Sequence, residues 1–201
     1  DLNINLCRDK KFCLPIKTSE KGDNTYILNK EKLFLENSNL KVDKSNVLLN
    51  GDVDFQGNFA LNFKGNNFSV VNLMEILDTQ VVENNLEDYF AYFKDINGNF
   101  DFDIDINNEN IGGSVKLNNL AFKLIPLENL PILLTGGDVK FDNDKITLKN
   151  FKGYYNGKKD NKMDFEGTVK DYLKSVDIDL IGNAAVTNDF AQNYLSKLAS
   201  Y

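Results

Sequence analysis

The chain has 201 residues, enough for one domain or two small ones with a real core. Its 30 acidic against 23 basic residues give a formal charge of -7, which disfavours nucleic acid and anionic membrane surfaces as direct partners. Histidine is absent, which removes the usual general base and the commonest metal ligand, and with them Ser-His-Asp and Cys-His catalysis.

The first predicted element is a hairpin, DLNINLCRDKKFCLPIK. Leu2, Ile4 and Leu6 share one face, as do Phe12, Leu14 and Ile16. Cys7 and Cys13 then share the opposite face, and a turn at 9–11 sets them across from each other. That geometry suits a disulfide and an oxidising compartment, with a short loop contributing about 2 kcal/mol. Two free thiols in a reducing compartment are the alternative; a metal held by two cysteines without histidine is not expected.

Strands are predicted at 25–28 and 33–35 around a turn at 29–32, followed by a hairpin. Its greasy face carries Val47, Leu49, Val53 and Phe55, then Phe59, Leu61 and Phe63, with the turn at 56–58. Asn67 is expected to cap a short helix holding Val70, Val71, Leu73, Met74, Ile76 and Leu77. A second helix is expected where Leu86, Phe90 and Phe93 fall at i, i+4 and i+7. Strand patterning then returns, with Phe100, Phe102, Ile104 and Ile106 on one face and Asp101, Asp103 and Asp105 on the other. The partner strand offers Val115 and Leu117 and changes phase at Asn118 and Asn119, so that Leu120, Phe122 and Leu124 continue the face; one extra residue is a β-bulge.

Pro126 and Pro131 mark a crossing segment, and no stretch of the sequence is apolar enough for a membrane span. Later period-two faces carry Val139 and Phe141, Ile146 and Leu148, Met163, Phe165 and Val169, and Val176, Ile178 and Leu180. A helix from about Asn188, with Phe190, Tyr194, Leu195 and Leu198 on one side, ends the pattern. The asparagines alternate with apolar residues and read as turns and solvated strand faces; their frequency, beside the single arginine Arg8, reads as a bias of composition.

Two parts of this pattern are alike. Residues 33–77 and 146–198 both read as short strand, turn, longer strand, glycine, alternating strand, short helix, at an offset of 113 residues at the start, 116 from Gly51 to Gly167 and 117 from Gly65 to Gly182. The chain is therefore expected to be a single β-rich unit, 1–201, of two loose repeats joined by a helix and hairpin segment. This motif, with GGSVKLNNLAFKLIPLENLPILLTGGDVKFDNDKITLKNF at 112–151, resembles the AsmA-like family of Gram-negative envelope proteins. The resemblance runs over about 33–195.

Motifs for chemistry do not hold. The Asp101, Asp103, Asp105 spacing imitates an EF-hand loop, but Ile106 stands where glycine is needed and Gly112 where glutamate is needed. GYYNGKK has the wrong glycine spacing for a P-loop, GGSVK lacks a nucleophile elbow, and Asn67-Phe68-Ser69 is one sequon in an asparagine-rich chain. Neither metal nor cofactor is expected. A pair of carboxylates for glycoside hydrolysis is the one catalytic arrangement the residue types leave open.

The expected fold is mainly β: an antiparallel, twisted and curved sheet with a few short crossing helices. Counting elements leaves two arrangements open, a closed sandwich over an ordinary core and an open groove. The resemblance implies the groove, lined by Phe55, Phe59, Leu61, Phe63, Phe100, Phe102, Ile104, Ile106, Leu117, Phe122, Phe141, Phe165, Ile178 and Leu180. It further implies phospholipid or another acyl-chain lipid as partner, non-catalytic transport between inner and outer membrane, envelope protein partners, and a periplasmic location with an anchor outside this chain. A structural or protein-interaction module of the envelope is the alternative.

Overall fold

The computed structural model describes residues 3–9, 12–17, 25–42, 45–73, 92–171 and 177–192, the first two stretches by backbone alone. It is a mainly β protein, as the alternation requires. β1 (Asn3–Asp9) and β2 (Phe12–Lys17) form a two-stranded antiparallel sheet. The rest is one open antiparallel sheet of ten strands in chain order: β3 (Thr25–Leu28), β4 (Lys32–Val42), β5 (Ser45–Asp54), β6 (Phe59–Ser69), β7 (Phe93–Asn107), β8 (Ile111–Leu124), β9 (Leu130–Phe141), β10 (Lys145–Tyr155), β11 (Lys162–Lys170) and β12 (Asp177–Ala184). Each strand of this sheet pairs with its chain neighbours. In the small sheet the backbone register sets Cys7 opposite Cys13.

Asparagine and aspartate build the sheet's corners. Asn29, Asp54, Asn107 and Asp142 each turn a side-chain oxygen back onto two backbone N–H groups of the hairpin they open, at 2.7–3.0 Å. Asn108 and Asn143 join one hairpin to the next: Asn108 accepts from the Phe59 N–H at 2.7 Å, and Asn143 from the Ile111 N–H at 2.7 Å. Within strands, Asn37, Asn67, Asp95 and Asn150 adopt left-handed φ of 52–56° where the pairing register shifts. Asn and Asp tolerate this conformation better than branched residues, and the extra residue bends the strand. The bulge N–H groups of Asn37 and Asn67 are taken up by Asn50 and Asp101. The asparagine content thus has specific positional uses.

The two similar parts share the pairing of their first two strands; at the third, Gly51 lies opposite Leu61 and Gly167 opposite Leu180, two residues from the 117-residue offset. Leu35 lies opposite Gly51 and Leu148 opposite Gly167, and the bulges at Asn37 and Asn150 keep the same 113-residue offset. Between the parts stands the β7–β8 hairpin. The phase change at Asn118 is a bulge: Asn99 pairs with Asn119 and Phe100 with Leu117, leaving Asn118 over.

Four expectations change. Asn67 caps no helix; it lies inside β6, which runs to Ser69 because the bulge carries the strand onward, and helix begins only at 70. Phe93 opens β7. The Pro126–Pro131 stretch is a tight connection, because Pro126 suits the first turn of a 3₁₀ segment (Ile125–Leu127) and left-handed Glu128 and Asn129 reverse the chain into β9. Phe55 lies in the β5–β6 turn, 66 % exposed, since β5 ends at Asp54. Met74, Ile76, Leu77, Leu86, Phe90, Val176, Tyr194, Leu195 and Leu198 lie outside the described residues. The last helix starts at Asn188 as expected, its N-terminal Thr187 accepting from the Phe190 N–H at 3.3 Å.

Candidate functional site

Register aligns the alternating apolar residues into rows that cross the sheet on one face. Phe63 pairs with Ile104, Ile104 with Gly113, Gly113 with Phe141, Phe141 with Ile146, Ile146 with Val169 and Val169 with Ile178. Neighbouring rows run Leu61–Ile106 and Gly65–Phe102–Val115–Val139–Leu148–Gly167–Leu180. Every lining residue named from the sequence except Phe55 therefore stands on this one face.

The face is not uniformly accessible. Leu61 and Phe100 are buried, at 7 % and 6 %. Phe59, Phe63, Phe102, Ile104, Ile106, Leu117, Phe122, Phe141 and Phe165 are half-buried. On the last strand Ile178 and Leu180 are exposed. Burial concentrates at the end that carries residues 70–73, the β8–β9 connection and the last helix, with Phe68, Val70, Leu127, Leu130, Ile132, Phe151 and Tyr155 all buried. At the opposite end, near the 55–58 and 142–144 turns, Val53, Phe59, Ile106, Phe141 and Ile146 are half-buried, while Leu35 and Leu61 are buried.

Two aromatic clusters stiffen the covered end. Phe68 lies 5.6 Å from Phe100 and 5.4 Å from Phe102, and Phe151 stacks on Phe165 at 4.6 Å. Glycines make room for them: a Cβ on Gly65 would sit 2.3 Å from the Phe102 ring, and one on Gly137 would sit 2.8 Å from Phe151. Tyr155 packs on Phe190 at 4.7 Å and donates its hydroxyl hydrogen to the Ala185 carbonyl, fixing the last helix over the sheet. Phe68 and Phe151 are missing from the sequence-derived lining because each follows a bulge that inverts the alternation. The signal that finds them is the left-handed asparagine just before each, Asn67 and Asn150.

The other face is wet and cross-linked. Asn62 donates to Asp103 at 2.7 Å and to Asp105 at 2.9 Å, Lys64 reaches Asp103 at 2.9 Å, Asn118 donates to Asp101 at 3.0 Å, and Lys32 pairs with Asp52 at 2.6 Å. The acidic triad is thus part of the outer ladder, and among the described residues no group of three or more His, Cys, Asp or Glu can hold a metal ion.

These bonds make stability depend on pH. The Asn67 backbone N–H, then the Asn118 amide, holds the Asp101 carboxyl below its ordinary value; the Asn62 amide, then Lys64, does so for Asp103. A carboxyl depressed in the folded state contributes stability above its unfolded pKa of about 4 and loses it as pH falls through the folded value. The urea midpoint is expected to drop below about pH 4, with a shallower drop in Asp103→Asn. Equal slopes in the two proteins would remove this ladder as the cause.

Among the described residues no helix is long and apolar enough to cross a membrane. No protein-family model, curated protein or solved structure matches the chain.

Proposed function

We propose that this protein binds acyl-chain lipid along the half-open part of its apolar sheet face, without catalysis. The observation that carries the reading is the set of apolar rows running across the ten-stranded sheet from buried to exposed residues, opposite a face of paired polar groups. Acyl chains lie against Phe59, Ile104, Ile106 and Phe141, and headgroups remain in water beside the polar turns. Each buried methylene contributes about 0.8 kcal/mol, so half an acyl chain supplies several kcal/mol without any dominant residue. On the outer ladder, Asp52, Asp101, Asp103 and Asp105 are engaged by Asn and Lys side chains.

In the setting implied by the AsmA-like sequence pattern, the ligand is phospholipid passing between inner and outer membrane, and the chain works in the periplasm as part of an anchored protein. A Cys7–Cys13 bond suits that oxidising compartment. Native mass spectrometry of the purified chain, followed by organic extraction, tests the proposal. Co-purifying phospholipid, or uptake of added fluorescent phospholipid, is expected. A clean apo mass with no uptake would favour the second reading, a structural or protein-interaction module. The observation behind that reading is the burial of Leu49, Phe68 and Phe100 at 3–6 %.

A further inference from the structure

Among the described residues the ten-stranded sheet has two unpaired edges: β3 pairs there only with β4, and β12 only with β11. One repeat along, the same two edges are occupied. The Tyr26–Leu35 and Leu28–Leu33 pairs recur at the 113-residue offset as Val139–Leu148 and Phe141–Ile146, so β9 is the interior counterpart of β3, and its far edge carries β8. By pairing register, Phe59, Leu61 and Phe63 of β6 correspond to Ile178, Leu180 and Gly182 of β12, because Val53–Phe59 and Gly51–Leu61 recur as Val169–Ile178 and Gly167–Leu180, and the far edge of β6 carries β7.

Both edge strands look like interior strands. Leu28 and Leu180 are 68 % and 52 % exposed on the apolar face, and Ile27 and Ile181 are 46 % and 70 % exposed on the opposite face. Edges that avoid pairing carry lysine, proline or a bulge. β12 has none of these: its register with β11 is unbroken over Asp177–Ala184, and its charges, Asp177 and Asp179, sit in its first three residues.

We propose that the chain assembles head to tail, β12 of one copy pairing with β3 of the next. Each step of the sheet reverses direction, so β3 and β12 run oppositely, and a second copy in the same orientation meets β12 antiparallel. The apolar faces then continue one another. Tyr26 and Leu28 of the next copy extend the rows of Leu180 and Ile178, and on the outer face Ile27 comes opposite Asp179 and Ile181 opposite Thr25. The β3–β4 turn, with Lys30, lies at the end where β12 begins with Asp177, which places opposite charges together. Such a contact is heterologous and does not close, so it forms rows of copies.

The test is sedimentation velocity of the full chain over a concentration series, with Ile181→Lys on the β12 edge and Ile27→Asp, which would face Asp179 of the neighbouring copy, on the β3 edge as blocking variants. Circular dichroism matching wild type establishes that both are folded. Wild type is expected to rise past two chains in mass, and each variant to remain a monomer. An equimolar mixture of the two variants is expected to stop at two chains, because each supplies the edge the other lacks. The proposal is overturned by a wild type that stays monomeric, by one that stops at two chains, or by an Ile27→Asp protein that dimerises alone through β12.

Discussion

Placing aspartate at Ile104 is expected to weaken lipid uptake by about tenfold or more, while Asp103→Asn, one residue away, leaves it unchanged. Ile104 stands in the half-open row between Phe63 and Gly113. A carboxylate there removes apolar contact and puts a charge against an acyl chain; losing two to three methylene contacts at about 0.8 kcal/mol each corresponds to roughly tenfold or more in affinity. Asp103 points the other way, toward Lys64 and Asn62, and an exposed pair of this kind is worth at most about 1 kcal/mol to the fold. Phe102 is a poorer probe, because its ring packs on Phe68 and Phe100 over Gly65, where aspartate would break the core as well. Titration with a fluorescent phospholipid reads the effect. Equal affinities for the two variants would sink the apolar-face model.

The largest loss of stability is expected from Gly98→Val. Gly98 is buried on the apolar face with φ of +146°, and a Cβ there would lie 2.2 Å from the Asn119 carbonyl oxygen and 2.9 Å from the Leu120 Cα. Backbone atoms of a neighbouring strand cannot give way as a flexible side chain can. Overpacking of about 1–3 kcal/mol adds to a backbone strain of about 1–3 kcal/mol, for a total near 4 kcal/mol in urea unfolding. Gly57→Ala separates the two causes: Gly57 has φ of +91° with nothing within 4 Å of its Cβ position, so only the strain, about 1 kcal/mol, is expected. Similar losses at the two sites would mean that strand approach is not what requires glycine at 98.

What was legible in the sequence was the local alternation. Phe100, Phe102, Ile104 and Ile106 against Asp101, Asp103 and Asp105 sort onto two faces because successive strand residues point oppositely, whatever surrounds them. The extra residue at Asn118 was visible for the same reason, since it leaves apolar residues on both sides out of phase. The 113-residue offset between Leu35 and Leu148, or Asn37 and Asn150, is also a property of the chain alone, and the structure gives the first two strands of both parts the same pairing.

Other features were decided by contacts between distant residues. Phe68 and Phe151 joined the core because the bulges at Asn67 and Asn150 return the next residue to the apolar face, and a bulge exists only against a partner strand. Phe93, spaced for a helix, became a strand residue because Leu124 of β8 lies opposite it. Phe55 left the apolar face because Asp54 gathers the turn around its own carboxylate. The gradient from buried Phe100 to exposed Ile178 depends on which segments lie at which end of the sheet. Alternation of side chains is a one-dimensional property, read along a single strand; register, bulges and cover need the second strand, and only the tertiary structure supplies it.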